Sequence, residues 1–141
     1  MKALHQIAQL LISSWVLAGD EGESETTIPT SHGILDRALQ ALAQEGVLPK
    51  WAADQLHFTD SRIGRQCVEL PEILDWAQMA DLTSVPNPYY QVADVQVEKA
   101  TARKLLRRIP EINEETAVKI GQRLRNELTK AQAETRADSL A

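Results

Sequence analysis

Five basic residues crowd the short stretch "EKATARKLLRR": Lys99, Arg103, Lys104, Arg107 and Arg108. Arg103 and Arg107 stand four apart, so on a helix they share a face. Lys119, Arg123 and Arg125 follow in the next segment. Cations at this density neutralise phosphates, and such a patch can hold a polyanion without a glycine-rich loop. The same residues would also suit a solvated helix face, or pairing with acidic segments elsewhere in the chain. Either way the chemistry is ionic attachment, not bond making. His5, His32 and His57 lack the mutual spacing of a metal site, and no cysteine or acidic cluster joins them. There is no phosphate-binding glycine loop and no nucleophile elbow. Asp54 and Asp60 read as helix surface and helix cap, not as an acid–base pair. No enzymatic activity, metal or cofactor is expected.

The charge is unevenly spread. The chain carries a formal net charge of −5 over 141 residues. Residues 1–94 hold 5 Lys/Arg against 13 Asp/Glu, a balance of −8, whereas residues 95–141 hold 10 against 7, a balance of +3. Such asymmetry fits a polyanion-binding end, or two halves that pair within one fold. The single cysteine, Cys67, excludes an internal disulfide and a cysteine-based zinc site, and beside Val68 it reads as a small buried hydrophobe. The expected compartment is the cytoplasm. The opening "MKALHQIAQLLISSWVLAGDE" shares a lysine, an apolar run and a small residue with secretory leaders. His5, Gln6, Gln9, Ser13 and Ser14 interrupt it, which favours an ordinary amphipathic helix, too polar to span a membrane.

The elements that must position these residues read as an all-α, small multi-helix bundle. Leu4, Ile7, Ala8, Leu11, Trp15 and Ala18 recur at helical spacing within an N-terminal helix, residues 1–19. An acidic linker follows over 20–31. The next unit, 32–84, begins with a helix capped by Ser31, striped by Ile34, Leu35, Ala38, Leu39 and Leu42, and stopped by Gly46. Pro49 opens a short third helix, Lys50 to Leu56. "HFTDSRIGRQCVEL" reads either as a helix capped by Thr59 or Asp60, or as a short strand pair turning at Gly64. Pro71 opens a helix packed through Ile73, Leu74, Trp76, Ala77 and Leu82. Residues 85–94 form a connector, because X-Pro steps disfavour helix. A basic helical hairpin spans 95–133, with Asp94 capping its first helix and Asn113 its second, and 134–141 is expected to fray. Ala117, Gly121, Leu124, Leu128 and Ala131 form a narrow seam that suits another helix of this chain or a second chain.

Two stretches resemble known DNA-binding motifs. "AADQLHFTDSRIGRQC", Ala52 to Cys67, resembles the helix-turn-helix of bacterial transcription regulators. Ala53 stands where the two helices touch, and Leu56 is the apolar residue three later. Phe58 follows the turn, Thr59 is the polar cap, and Ile63 would bury the second helix. His57 departs from the glycine preferred in the turn, and Gln66 from the usual apolar residue. The resemblance implies a three-helix unit whose Ser61, Arg62, Arg65 and Gln66 face the major groove. "LLRRIPEINEETAVKI" resembles a helix-hairpin-helix, with Leu106, Ile109, Pro110, Ile112, Ala117 and Ile120 in its apolar, proline and alanine slots. The two glycines that let that motif approach phosphate are replaced by Glu111 and Asn113, which keeps a hairpin shape and discards its anion site.

Together these features imply a small nucleic-acid-binding protein, a dimeric DNA-binding transcriptional regulator. Its contacts would be Ser61, Arg62, Arg65 and Gln66, aided by Lys99, Arg103, Lys104, Arg107 and Arg108. The competing expectation is a helical adaptor or assembly subunit that binds a protein partner through the acidic first half or the last-helix seam.

Overall fold

Leu10, Leu11 and Ile12 follow one another in the first helix, a run that no single apolar face could hide. The computed structural model describes residues 2–19, 27–30, 33–61, 64–80, 82–83, 92–95, 97–109 and 112–140. Its first helix, α1 (Lys2–Ala18), is buried nearly all round, with Ile7, Leu10, Leu11, Ile12, Trp15 and Leu17 all in the core. This corrects the expected one-faced amphipathic helix. α1 is the central element and packs against α3 (Lys50–Ala53), α4 (Leu70–Met79), α5 (Lys99–Leu106) and α6 (Glu114–Leu140). Each large aliphatic side chain withdrawn from water here contributes roughly 1.5–3 kcal/mol, so α1 anchors the whole bundle.

α6 lies between α1 and α2 (Ile34–Gln44) and shares a broad interface with each. The seam residues Ala117, Gly121, Leu124, Leu128 and Ala131 are buried there, so the surface that suited a second chain is filled by the protein's own helices. α6 crosses α1 at Gly121, where a methyl group would lie 1.9 Å from the Ser14 carbonyl oxygen and 2.6 Å from the Ala18 Cβ. One turn further on, the Arg125 guanidinium lies 4.1 Å from the centroid of the Trp15 ring. Its Nη2 and Nε donate to the Trp15 carbonyl oxygen at 2.8 and 3.3 Å. That carbonyl needs a donor, because the Gly19 N–H that would continue the helix bonds Val16 instead. Arg125 therefore closes the negative end of α1 and stacks on its last aromatic residue.

α2 starts from Gly33, at φ 69°, and not from Ser31, which lies outside the described residues. It ends as expected at Gly46, whose φ of 70° lets Val47 N–H reach the Leu42 carbonyl and Gly46 N–H the Ala43 carbonyl. Arg123–Glu45 at 2.7 Å and Arg37–Glu134 at 3.4 Å tie α2 and its C-cap to α6; the first joins an acid of the first half to a base of the second, and the other runs the opposite way. α3 is shorter than the expected helix, and α4 starts at Leu70 with Pro71 in its first turn.

The fold is mainly α, with two small two-stranded sheets among the described residues. β1 (Thr27–Pro29), within the expected linker, pairs antiparallel with β4 (Val92–Asp94), at the end of the expected connector. Asp94 therefore lies in a strand and does not cap a helix; α5 begins after Glu98. Asn113 does cap α6, its Oδ1 accepting the Thr116 N–H at 2.7 Å. α6 runs on to Leu140, so the backbone expected to fray from residue 134 remains helical. Among the described residues, no helix is long and apolar enough to cross a membrane.

Candidate functional site

The helix that was to enter a DNA groove is absent. Phe58–Ser61 and Gly64–Cys67 form strands β2 and β3, an antiparallel hairpin with Phe58 opposite Cys67 and Ser61 opposite Gly64. The strand-pair alternative is thus the one adopted, and the three-helix unit implied by the helix-turn-helix resemblance is not formed. Thr59 is a strand residue, not a cap. Ser61 ends β2, Arg65 and Gln66 lie in β3, and Arg62 and Ile63 fall outside the described residues.

Long-range polar contacts explain why strands win. The buried carboxylate of Asp36, in the first turn of α2, accepts the Cys67 N–H at 2.7 Å, fixing β3 to α2. Glu69 closes the open end: its two oxygens take the His57 N–H and meet His57 Nδ1, both at 2.7 Å. His57 is thus a clamp residue at the hairpin's mouth, where the motif would have placed a turn. His5 stacks on Trp76 with centroids 5.0 Å apart, and His32 lies outside the described residues. Among the described residues, no group of three or more His, Cys, Asp or Glu is arranged to hold a metal ion. Burial, with the nearby charges of Glu69 and Asp36, pushes the Cys67 thiol up to about 11, so at neutral pH it remains an inert core thiol.

Burial also raises the pKa of Asp36 above its ordinary 3.8, held back by the N–H bonds from Cys67 and from its own backbone. A raised folded-state pKa means that ionised Asp36 is disfavoured in the fold, so its contribution falls as pH rises through that value. Asp36→Asn keeps an oxygen for the Cys67 N–H and removes the ionisation. In urea titrations between pH 3 and 7 the variant should gain on the wild type as pH rises above 3.8. Asp36→Leu instead strands the amide and should cost about 1–3 kcal/mol at pH 3, a deficit that narrows as pH rises above 3.8 because this variant too lacks the ionisation.

The other sequence-predicted cluster does come together. α5 buries Ala102 and Leu106 and turns Arg103 and Lys104 to solvent, with Lys99 half-buried; in the turn that follows, Arg107 and Arg108 are exposed and Ile109 is buried. Arg103 Nε donates to Glu114 Oε1 at 2.6 Å. Lys104, Arg107 and Arg108 make no ion pair among the described residues. By contrast, three basic residues of α6 are engaged: Lys119 with Glu115, Arg123 with Glu45 and Glu127, and Arg125 with Trp15. Their part in the expected patch is structural.

The helix-hairpin-helix spacing places its apolar residues inward, since Leu106, Ile109, Ala117 and Ile120 are all buried. α5 and α6 nevertheless share far more surface with α1 than with each other, so both helices dock on a third one. Pro110 and Glu111 lie outside the described residues. The two halves of the predicted site are carried separately, the hairpin on α2 and the basic face on α1. Sequence reasoning missed the roles of Asp36, Glu69, Glu114 and Arg125; each acts on a partner that no local spacing reveals.

Comparison with known protein families, with curated proteins and with solved structures finds no match for this chain.

Proposed function

We propose that this is a non-catalytic nucleic-acid-binding protein that attaches to the phosphate backbone through the exposed face of α5. The observation that carries the reading is the set Lys104, Arg107 and Arg108, exposed together with Arg103 on a protein of net charge −5, and unpaired among the described residues. Part of this cluster also suits the negative end of α5, a contribution of about 0.3–1 kcal/mol that one cation would satisfy. Among the described residues, the large exposed apolar side chains, Val68 and Met79, both lie away from this face. Protein interfaces gain most of their affinity from buried aromatic and apolar anchors, whereas a repetitive polyanion needs only spaced cations.

This reading narrows the expected function. With a hairpin in place of a recognition helix, attachment rests on phosphate contacts, which position a protein without reading sequence. The adaptor alternative has lost the last-helix seam to α1 and α2, and in the acidic half Asp36, Glu45 and Glu69 already hold internal partners.

Chemical-shift mapping tests the location. When a short duplex of arbitrary sequence is added at low salt, amide resonances should move over residues 99–109 and stay in place over 58–67. Shifts confined to the hairpin would return the contact to "SRIGRQ" and overturn the α5 reading.

A further inference from the structure

Of the four exposed cations around α5, only Arg103 has an anion beside it among the described residues. Glu114 stands in the first turn of α6, and the bond that the Thr116 N–H donates to Asn113 Oδ1 fixes that turn. Its carboxylate meets Arg103 at 2.6 Å through Nε, and both side chains are about half exposed, 49% for Arg103 and 52% for Glu114. We propose that Glu114 is a built-in counter-ion, competing with the ligand's phosphate for Arg103 and holding down the affinity of the α5 face. The proposal rests on the phosphate-binding reading of that face.

The physics sets the size of the effect. An exposed pair of this kind is held weakly, so a phosphate can displace the carboxylate at modest cost. The guanidinium then gains a ligand it can grip with two parallel N–H bonds, where Glu114 takes one. While Glu114 remains paired, three cations meet phosphate in full; without it there are four. Removing its charge should therefore strengthen binding about two- to five-fold. It should also steepen the plot of log affinity against log salt by about 0.9, the increment for one more duplex phosphate.

The test is fluorescence anisotropy with a labelled duplex of arbitrary sequence, over a salt series, for the wild type, Glu114→Gln and Glu115→Gln. Glu115 removes the same charge one residue along, but its partner at 3.5 Å is Lys119 on its own helix. Glu114→Gln should bind more tightly with the steeper slope, while Glu115→Gln keeps the wild-type slope. Melting curves of all three should agree closely, since the pair is exposed. If the wild type binds and Glu114→Gln matches it in affinity and slope, the competition is refuted and the α5 surface stands. An equal gain from Glu115→Gln also refutes it, by showing a general charge effect. Absence of binding by wild type and Glu114→Gln alike at low salt overturns the surface itself, and the inference with it.

Discussion

Gly121→Val is expected to destabilise the protein by roughly 3 kcal/mol or more, the upper range for overpacking a core. At this chain length that lowers the melting temperature by about 10 °C. The cause is geometric. A Cβ at position 121 would sit 1.9 Å from the Ser14 carbonyl oxygen, 2.6 Å from the Ser14 carbonyl carbon and 2.6 Å from the Ala18 Cβ. Two of these are backbone atoms of a buried helix, so no rotamer change relieves the clash and α6 must move off α1. Such movement also pulls Arg125 from the Trp15 carbonyl, exposing the end of α1. Gly121→Ala makes the sign decisive. On a free helix surface it would stabilise by about 1 kcal/mol through helix propensity, but here the added methyl is itself the clashing atom. Thermal and urea unfolding followed by circular dichroism should show both variants below the wild type. A stabilised Gly121→Ala would contradict the close crossing of α1 and α6.

The same glycine shows what the sequence conveys and what it withholds. Ala117, Gly121, Leu124, Leu128 and Ala131 recur at helical spacing, so a buried seam along the last helix is legible. Which surface fills it is not, because a seam records its shape and not its partner. α1 misleads for a related reason: its 3–4 spacing suggests one face, while Leu10, Ile12 and Leu17 bury the others. In "FTDSRIGRQC" local pattern leaves helix and hairpin both open. The hairpin is favoured by Asp36, 31 positions before the amide it binds, and by Glu69 across the open end. Three-residue strands such as Thr27–Pro29 and Val92–Asp94 carry no periodic signal at all, and each depends on the other for its definition.

The candidate site divides in the same way. The cations around α5 are visible as a cluster, and Ala102 and Leu106 mark the side that must be buried. Whether each cation is spent inside the fold depends on where distant carboxylates fall. Arg123 meets Glu45, 78 positions away, and Arg125 meets the Trp15 carbonyl, 110 positions away. From sequence alone both are indistinguishable from surface cations. Only the fold separates them from Lys104, Arg107 and Arg108.

Those three residues form the proposed phosphate contact, and reversing them is the second large effect. In Lys104→Glu/Arg107→Glu/Arg108→Glu, attractive contacts become repulsive ones on a chain whose net charge is already −5. The loss of duplex affinity at low salt should be on the order of 100-fold or more. The folded core should persist, because all three side chains are exposed and Ala102, Leu106 and Ile109 hold the segment to the bundle. Far-ultraviolet circular dichroism on the same samples checks that point. The decisive measurement is anisotropy of a labelled duplex titrated with wild type and triple variant across a salt series. If these cations grip phosphate, wild-type binding weakens with salt at a log–log slope of about −3, is indifferent to duplex sequence and is lost in the folded triple variant. Equal binding by the two proteins, or none by the wild type at the lowest salt, would contradict that contact.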